Sequence, residues 1–195
     1  MCNQHVSPRS RQPRVARGVT LLELLVVITI LGVLLAIGLP SMRDFLVGNR
    51  LSSNVNGFVG LINYARSEAI VRNQDVIICP KDDASISCLS TTAWNTHEVQ
   101  AFVDIDGNGQ RDATDILLRS VAAVDPDNTQ TGFDRSANGA LIFGSAGFAR
   151  AAQNYKIYVK SADTAYQAKY GRTICISKAG RVRVAPYTLT SCPDF

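Results

Sequence analysis

The chain divides by the period of its apolar positions. Positions 1–18 are polar and basic, and Val19–Leu39 then runs for 21 residues with one charge, Glu23. About 20 apolar residues suffice for a helix to span a bilayer. Three readings of such a segment compete. A secretory signal has a shorter apolar region and a small-residue cleavage site after it, whereas Leu39-Pro40-Ser41-Met42 follows here. A plain anchor has no use for Glu23, because a carboxylate within an apolar span costs a few kcal/mol, roughly 2.5–3.5 at the centre. The third reading is a membrane helix whose acid has a job.

Pro40 is expected to kink or loosen this helix where it leaves the membrane. Beyond it Leu51, Val55, Phe58, Ile62, Ala65 and Ala69 recur at steps of four and three. That period predicts an amphipathic helix ending near Asn73, with the stripe packed on the rest of the protein. After Asn73 the pattern turns to short β-type runs. Val76–Cys79, Val99–Asp104, Ile116–Val121, Leu141–Phe143, Tyr155–Lys160, Thr173–Ser177 and Arg181–Ala185 read as strands. Turn residues separate them at Asp106-Gly107-Asn108-Gly109, Ala146-Gly147 and Lys178-Ala179-Gly180. Seven short strands after one long helix predict an α+β fold. Trp94 and Phe102 read as core.

Charge sharpens the picture. The formal net charge is +4, and positions 1–18 hold four arginines (Arg9, Arg11, Arg14, Arg17) and no acid. The remainder is neutral but uneven. Residues 19–74 hold 4 basic and 3 acidic side chains, 75–135 hold 4 and 11, and 136–195 hold 8 and 2. A neutral protein with a basic end can meet a polyanion locally, without a whole-molecule field to steer it.

Of the five cysteines, Cys2 precedes the apolar segment and Cys79, Cys88, Cys175 and Cys192 follow it. An even number in an exported domain predicts two disulfides, with buried free thiols as the other reading. Three pairings are open; Cys79–Cys88 with Cys175–Cys192 is favoured because each closes a short loop. The spacings do not form zinc pairs. His97 would be the one histidine left after loss of positions 1–18, and no nucleophile–base arrangement is visible. The chain is therefore not read as an enzyme, and no cofactor is expected.

Asp104, Asp106, Asn108, Gly109, Asp112 and Asp115 fall at positions 1, 3, 5, 6, 9 and 12 of a calcium-loop template. The last position should be a glutamate, and the flanks read as strands. The preferred reading is a β-hairpin turn in which Asn108-Gly109 supplies positive φ angles; calcium binding is the weaker one.

Near the C-terminus, Thr173–Ala185 reads as a hairpin turning at Ser177–Gly180. With a side-chain period of two, Val182 and Val184 should face the core while Arg181 and Arg183 share the solvent face. That places the two arginines about 7 Å apart, a spacing suited to phosphates along one nucleic-acid strand. Lys178 joins them at the turn, and Arg172 begins the preceding strand. Lys156, Lys160, Lys169 and Arg150 could extend the path, and Tyr170 or Tyr187 could stack on bases. The competing reading is a solvated edge strand whose charges discourage edge-to-edge pairing.

The run Arg17-Gly18-Val19-Thr20-Leu21-Leu22-Glu23 resembles the leader junction of type IV prepilins and pseudopilins. The resemblance implies that prepilin peptidase cuts after Gly18 and N-methylates Val19, which stands where the family usually has phenylalanine. Glu23 matches the family glutamate, whose carboxylate would meet the N-terminal amine of a neighbouring subunit during filament assembly. Phe102-Val103-Asp104, the Asn108-Gly109 turn and Ile116–Arg119 resemble the FimT/GspH branch of minor pilins. The implied fold is type IV pilin-like: a long N-terminal helix packed on an antiparallel β-sheet head. The implied partition is a leader at 1–18, a transmembrane helix at 19–39, its amphipathic extension at 40–73 and a periplasmic head at 74–195.

The resemblance also implies anchoring in the inner membrane and assembly with major and minor pilins. FimT-type members bind DNA through a Gly-Arg-x-Arg motif, which Gly180-Arg181-Val182-Arg183 matches. The expectation is sequence-independent DNA binding in support of natural transformation. The alternative is a structural pseudopilin of a type II secretion system, or a subunit that primes pilus assembly without touching DNA.

Overall fold

A computed structural model describes residues 18–89, 94, 96–124, 128–134, 139–150, 155–188 and 192, without the side chains of 39–41 and 132–134. Positions 1–17, with their four arginines and Cys2, lie outside the described residues.

Helix α1 spans Leu21–Arg72. At its start Thr20 caps the first turn: the Glu23 N–H donates to Thr20 Oγ1 at 3.2 Å, and the Leu24 N–H to the Thr20 carbonyl at 3.1 Å. The helix is unbroken through position 40, so the expected proline interruption does not end it. At the other end Asn73 takes φ 54°. Its N–H donates to the Ile70 carbonyl and that of Gln74 to the Ala69 carbonyl, at 3.3 and 3.2 Å. These are the two bonds of a Schellman cap, for which asparagine is the usual substitute for glycine.

The described residues form two compact units, divided after Met42. In the first, the side chains of Leu21 through Ile37 are exposed along the whole helix. The segment is long and apolar enough to cross a membrane.

In the second unit, the predicted stripe is the spine of the core. Leu51, Val55, Phe58, Ile62, Ala65 and Ala69 are all buried, joined by Leu61. They pack on two four-stranded antiparallel sheets. The first has the order β3-β2-β1-β5, from β1 (Val76–Pro80), β2 (Val99–Val103), β3 (Ile116–Val121) and β5 (Leu141–Phe143). The second has the order β4-β6-β7-β8, from β4 (Thr129–Asp134), β6 (Tyr155–Ser161), β7 (Arg172–Ile176) and β8 (Val182–Pro186). A short helix α2, Thr164–Tyr170, connects β6 to β7. One apolar cluster joins α1 to both sheets through Ile78, Val103, Leu141, Ile157 and Ile174. Trp94 belongs to it, its ring 6.2 Å from Phe58 and its Nε1–H donating to the Gly139 carbonyl. Phe102 belongs to a smaller cluster with Ile77 and Cys79 on the far side of the first sheet.

The cysteines pair as Cys79–Cys88 and Cys175–Cys192, each with Cα atoms 5.6 Å apart. Strand β4 and helix α2 are two elements that the hydrophobic pattern did not reveal.

Candidate nucleic-acid interface

The hairpin of β7 and β8 is built around its turn. The Gly180 N–H donates to the Ser177 carbonyl at 2.8 Å, and the Ser177 N–H to the Arg181 carbonyl at 2.9 Å. Lys178-Ala179-Gly180 is thus a three-residue loop closed by a left-handed residue, Gly180 at φ 73°. Strand β8 begins at Val182, so Arg181 belongs to the turn's closing pair rather than to the strand. Residues directly opposite in an antiparallel pair share a face. Arg183 lies opposite Cys175, and Cys175 opposite Lys156 on β6. Val182 and Val184 lie beside the buried Ile176 and Ile174. Val182 packs on the core, but Val184 stays 43% exposed. The expectation that both are buried fails for Val184 because β8 is the outer strand of its sheet among the described residues.

Lys178, Arg181 and Arg183 are all exposed. Along β6 the buried Tyr155, Ile157 and Val159 alternate with the half-buried Lys156, Tyr158 and Lys160, which face the same side as Arg183. The Lys160 ammonium stands 5.1 Å from the Tyr187 ring centre and 5.8 Å from that of Tyr158, and the two rings meet edge-on. Cys175, bonded to Cys192, occupies the same face between Lys156 and Arg183.

Other basic residues do not join this group. Arg172 sits at the opposite end of the hairpin, paired with Pro186. Its guanidinium donates to the carbonyls of Lys169 and Gly171, at 3.2 and 2.8 Å, at the C-terminal end of α2. Arg172 thus satisfies the Lys169 carbonyl at the end of the helix and shares the Gly171 carbonyl with the Tyr187 N–H, and these bonds turn it away from the expected phosphate site. Lys169 pairs with Asp44 at 2.6 Å. The same hydrogen bond holds the Asp44 carboxyl below its usual range and the Lys169 amine above its own. Arg150 binds Asp75 through both guanidinium nitrogens, at 2.6 and 2.9 Å. Tyr170 lies against Gly48 of α1.

Sequence reasoning missed the residue that holds the turn. Arg66 of α1 donates from Nε to the Gly147 carbonyl and from Nη2 to the Ala179 carbonyl, each at 3.0 Å. The Ala149 N–H adds a bond to the Lys178 carbonyl at 2.9 Å. Two turns are thus tied to one helix. A Cβ on Gly180 would lie 2.3 Å from the Gly147 oxygen and 2.7 Å from Arg66 Nε. Gly180 is therefore demanded twice, by its φ angle and by close approach. Nothing in the sequence singled out Arg66, one of several polar residues with Asn63, Ser67 and Glu68 on this part of the helix. Phe148, between the tied residues Gly147 and Ala149, is 60% exposed.

The acidic loop joins β2 to β3. Asp104 accepts from the Gly107 and Gly109 amides at 3.0 and 3.1 Å, and Asp115 from those of Ile105 and Asp112 at 2.9 and 3.1 Å. Asp112 accepts from the Thr114 backbone and hydroxyl. Asn108 bridges Asp106 and Asp112. Burial, with the nearby charges of Asp115 and Asp106, pushes the Asp104 carboxyl up. Carboxylate oxygens of Asp104, Asp106 and Asp115 lie within 4.8 Å of one another. The positive φ angles fall on Gly107 and Gly109, not on Asn108.

A helix with a long apolar N-terminal stretch, followed by antiparallel sheets packed on its second half, defines a type IV pilin-like subunit. The sequence matches the family described as "Type II transport protein GspH" over residues 54–180, and the prokaryotic N-terminal methylation motif over residues 13–39. The chain belongs to the GspH family of minor pilins and pseudopilins. The type IV minor pilin FimU of Pseudomonas aeruginosa has a similar fold, with TM-score 0.53 and 21% identity, over 71% of this chain and 90% of that one. The minor pseudopilin EpsH of the Vibrio cholerae type 2 secretion system matches with TM-score 0.47 and 12% identity, over 72% of this chain and 99% of that one. No curated protein matches the sequence. Members of this family are filament components, not enzymes. The methylation motif implies processing by prepilin peptidase and assembly with other pilins, and with the apolar helix it fits a single-pass membrane-anchored subunit.

Proposed function

We propose that this chain is a minor pilin that binds DNA through the hairpin of β7 and β8 and supports DNA uptake. The observation that carries the reading is the exposed set Lys178, Arg181 and Arg183 on a turn tied to α1 through Arg66. Arginine forks suit phosphate oxygens, and a fixed backbone keeps the ordering cost of binding low. Lys156 and Lys160 on the same sheet face extend the positive surface beyond β8. Binding is electrostatic and independent of base sequence, micromolar or weaker per copy.

In this proposal Gly18 and Val19 are the cleavage and N-methylation positions. Glu23 pairs with a neighbouring subunit's N-terminal amine, the helix is anchored in the inner membrane, and the head faces the periplasm. Retraction of the filament then carries bound DNA toward the cell envelope.

Electrophoretic shift of DNA by the detergent-solubilised mature chain tests the reading. Wild type retards the DNA, and Arg181→Ala combined with Arg183→Ala does not; equal retardation by the two removes the hairpin from the proposal. The second reading, a structural pseudopilin of a type II secretion system, is favoured by the description of the matching family. Pilus genes or secretion genes beside this one would separate the two.

A further inference from the structure

We propose that Phe148 is a base-stacking residue of the same site, so that the preferred ligand is single-stranded DNA or an unpaired end rather than intact duplex. The inference rests on the DNA-binding reading above and adds the chemistry of the bases to it.

Exposure alone is a weak argument, since lone apolar side chains are common on surfaces. The way Phe148 is held makes the case. Its own carbonyl accepts from the Gly144 N–H at 2.9 Å. The residue before it, Gly147, gives its carbonyl to Arg66 Nε, and the residue after it, Ala149, donates its N–H to the Lys178 carbonyl. Arg66 also holds the Ala179 carbonyl. The backbone of Phe148 is thus fixed to the same frame as Lys178 and Arg181, through hydrogen bonds on both sides. The ring itself stays 60% exposed. Other aromatics are less suited. Tyr158 and Tyr187 meet edge-on beneath Lys160, and Tyr170 packs against Gly48.

Cations that track a backbone, with an aromatic ring beside them, are the combination that binds single strands without sequence preference. In a duplex the base faces are already stacked on one another, so Phe148 has nothing to cover. Duplex then gains the phosphate contacts alone.

The test is fluorescence anisotropy of labelled oligothymidylate and of a duplex of equal length, with the detergent-solubilised mature chain. Phe148→Ala is expected to weaken single-strand binding about five- to tenfold, the lower part of the range for losing one base–aromatic contact. Duplex affinity should stay within about twofold and the salt dependence should not change, because no phosphate contact is lost. Phe148→Trp should keep the affinity, and its fluorescence should be quenched by oligothymidylate; Trp94, 1% exposed, contributes a constant background. An unchanged melting temperature for both variants excludes misfolding as the cause.

An equal loss on both ligands, or none on the single strand, overturns the inference. So does unchanged DNA binding with reduced co-assembly with other pilins, which would make Phe148 a subunit contact. If wild type binds DNA and loses it with Arg181→Ala and Arg183→Ala while Phe148→Ala has no effect, this inference alone fails. If wild type binds neither ligand, the DNA-binding reading fails with it.

Discussion

Gly180 and Arg66 show how much of the site depends on residues that carry no charge to a ligand, or carry one that is already engaged. Gly180→Ala forces a β-carbon into a left-handed backbone, at a cost of about 1–2 kcal/mol, and against the Gly147 oxygen as well. The expected result is a melting temperature lower by roughly 5 °C or more, with weaker DNA binding although no cation has been removed. Differential scanning calorimetry and anisotropy on the same preparation check both. The ion pair of Asp44 and Lys169 makes a prediction with a definite sign. Asp44's folded pKa is depressed below the ordinary 3.8. Its contribution to stability is therefore present above that value and lost as pH falls through the lower, folded one. Asp44→Asn should flatten the acid limb of melting temperature against pH below about pH 4. An unchanged limb would mean that the pair contributes nothing. Asp104, whose pKa is raised, acts in the opposite direction, and its burial costs stability as pH rises above 3.8.

Among the elements, legibility followed the pattern of apolar residues. The α1 stripe was readable because six positions at helical spacing all enter one core. Strands β3 and β5 were read to the residue, and β1, β2, β6, β7 and β8 to within a residue at each end, because their residues are apolar or alternate, even in β3, where only Leu118 and Val121 pack on the core. Strand β4 escaped because, among its described side chains, the buried ones are Thr129 and Thr131, whose polar groups give no hydrophobic alternation. Helix α2 escaped because none of its side chains is buried; only the Asp163 cap announces it, accepting from the Ala165 N–H. In the site, the charges of Arg181 and Arg183 could be read from sequence. The capture of Arg172, Lys169 and Arg150 by other groups could not, since their partners are remote in the chain or lie on the main chain.

Two predictions belong to elements. Replacing Cys175 and Cys192 by serine frees the segment ending at Cys192 from β7 and should cost about 3 kcal/mol for a loop of this length; chemical denaturation of both forms measures it. The acidic loop, its carboxylates already bonded to backbone amides, is expected to show no rise in melting temperature with millimolar calcium. A rise of several degrees would make it a cation site.

As a whole, residues 19–195 are neutral, with an excess of basic residues collected in the last sixty positions. The apolar start of α1 and the methylation motif are common to pili and secretion pseudopili, and so explain assembly but not purpose. In the proposed reading the purpose lies in the turn that α1 holds in place. If Lys178, Arg181 and Arg183 neutralise about three phosphates, the logarithm of the binding constant should fall with the logarithm of salt concentration at a slope of about −2 to −3. The most direct measurement is that slope for wild type and for Arg181→Ala with Arg183→Ala. The account predicts that the slope shrinks by about 2 in the variant, as binding weakens. The same slope and affinity in both proteins would contradict it.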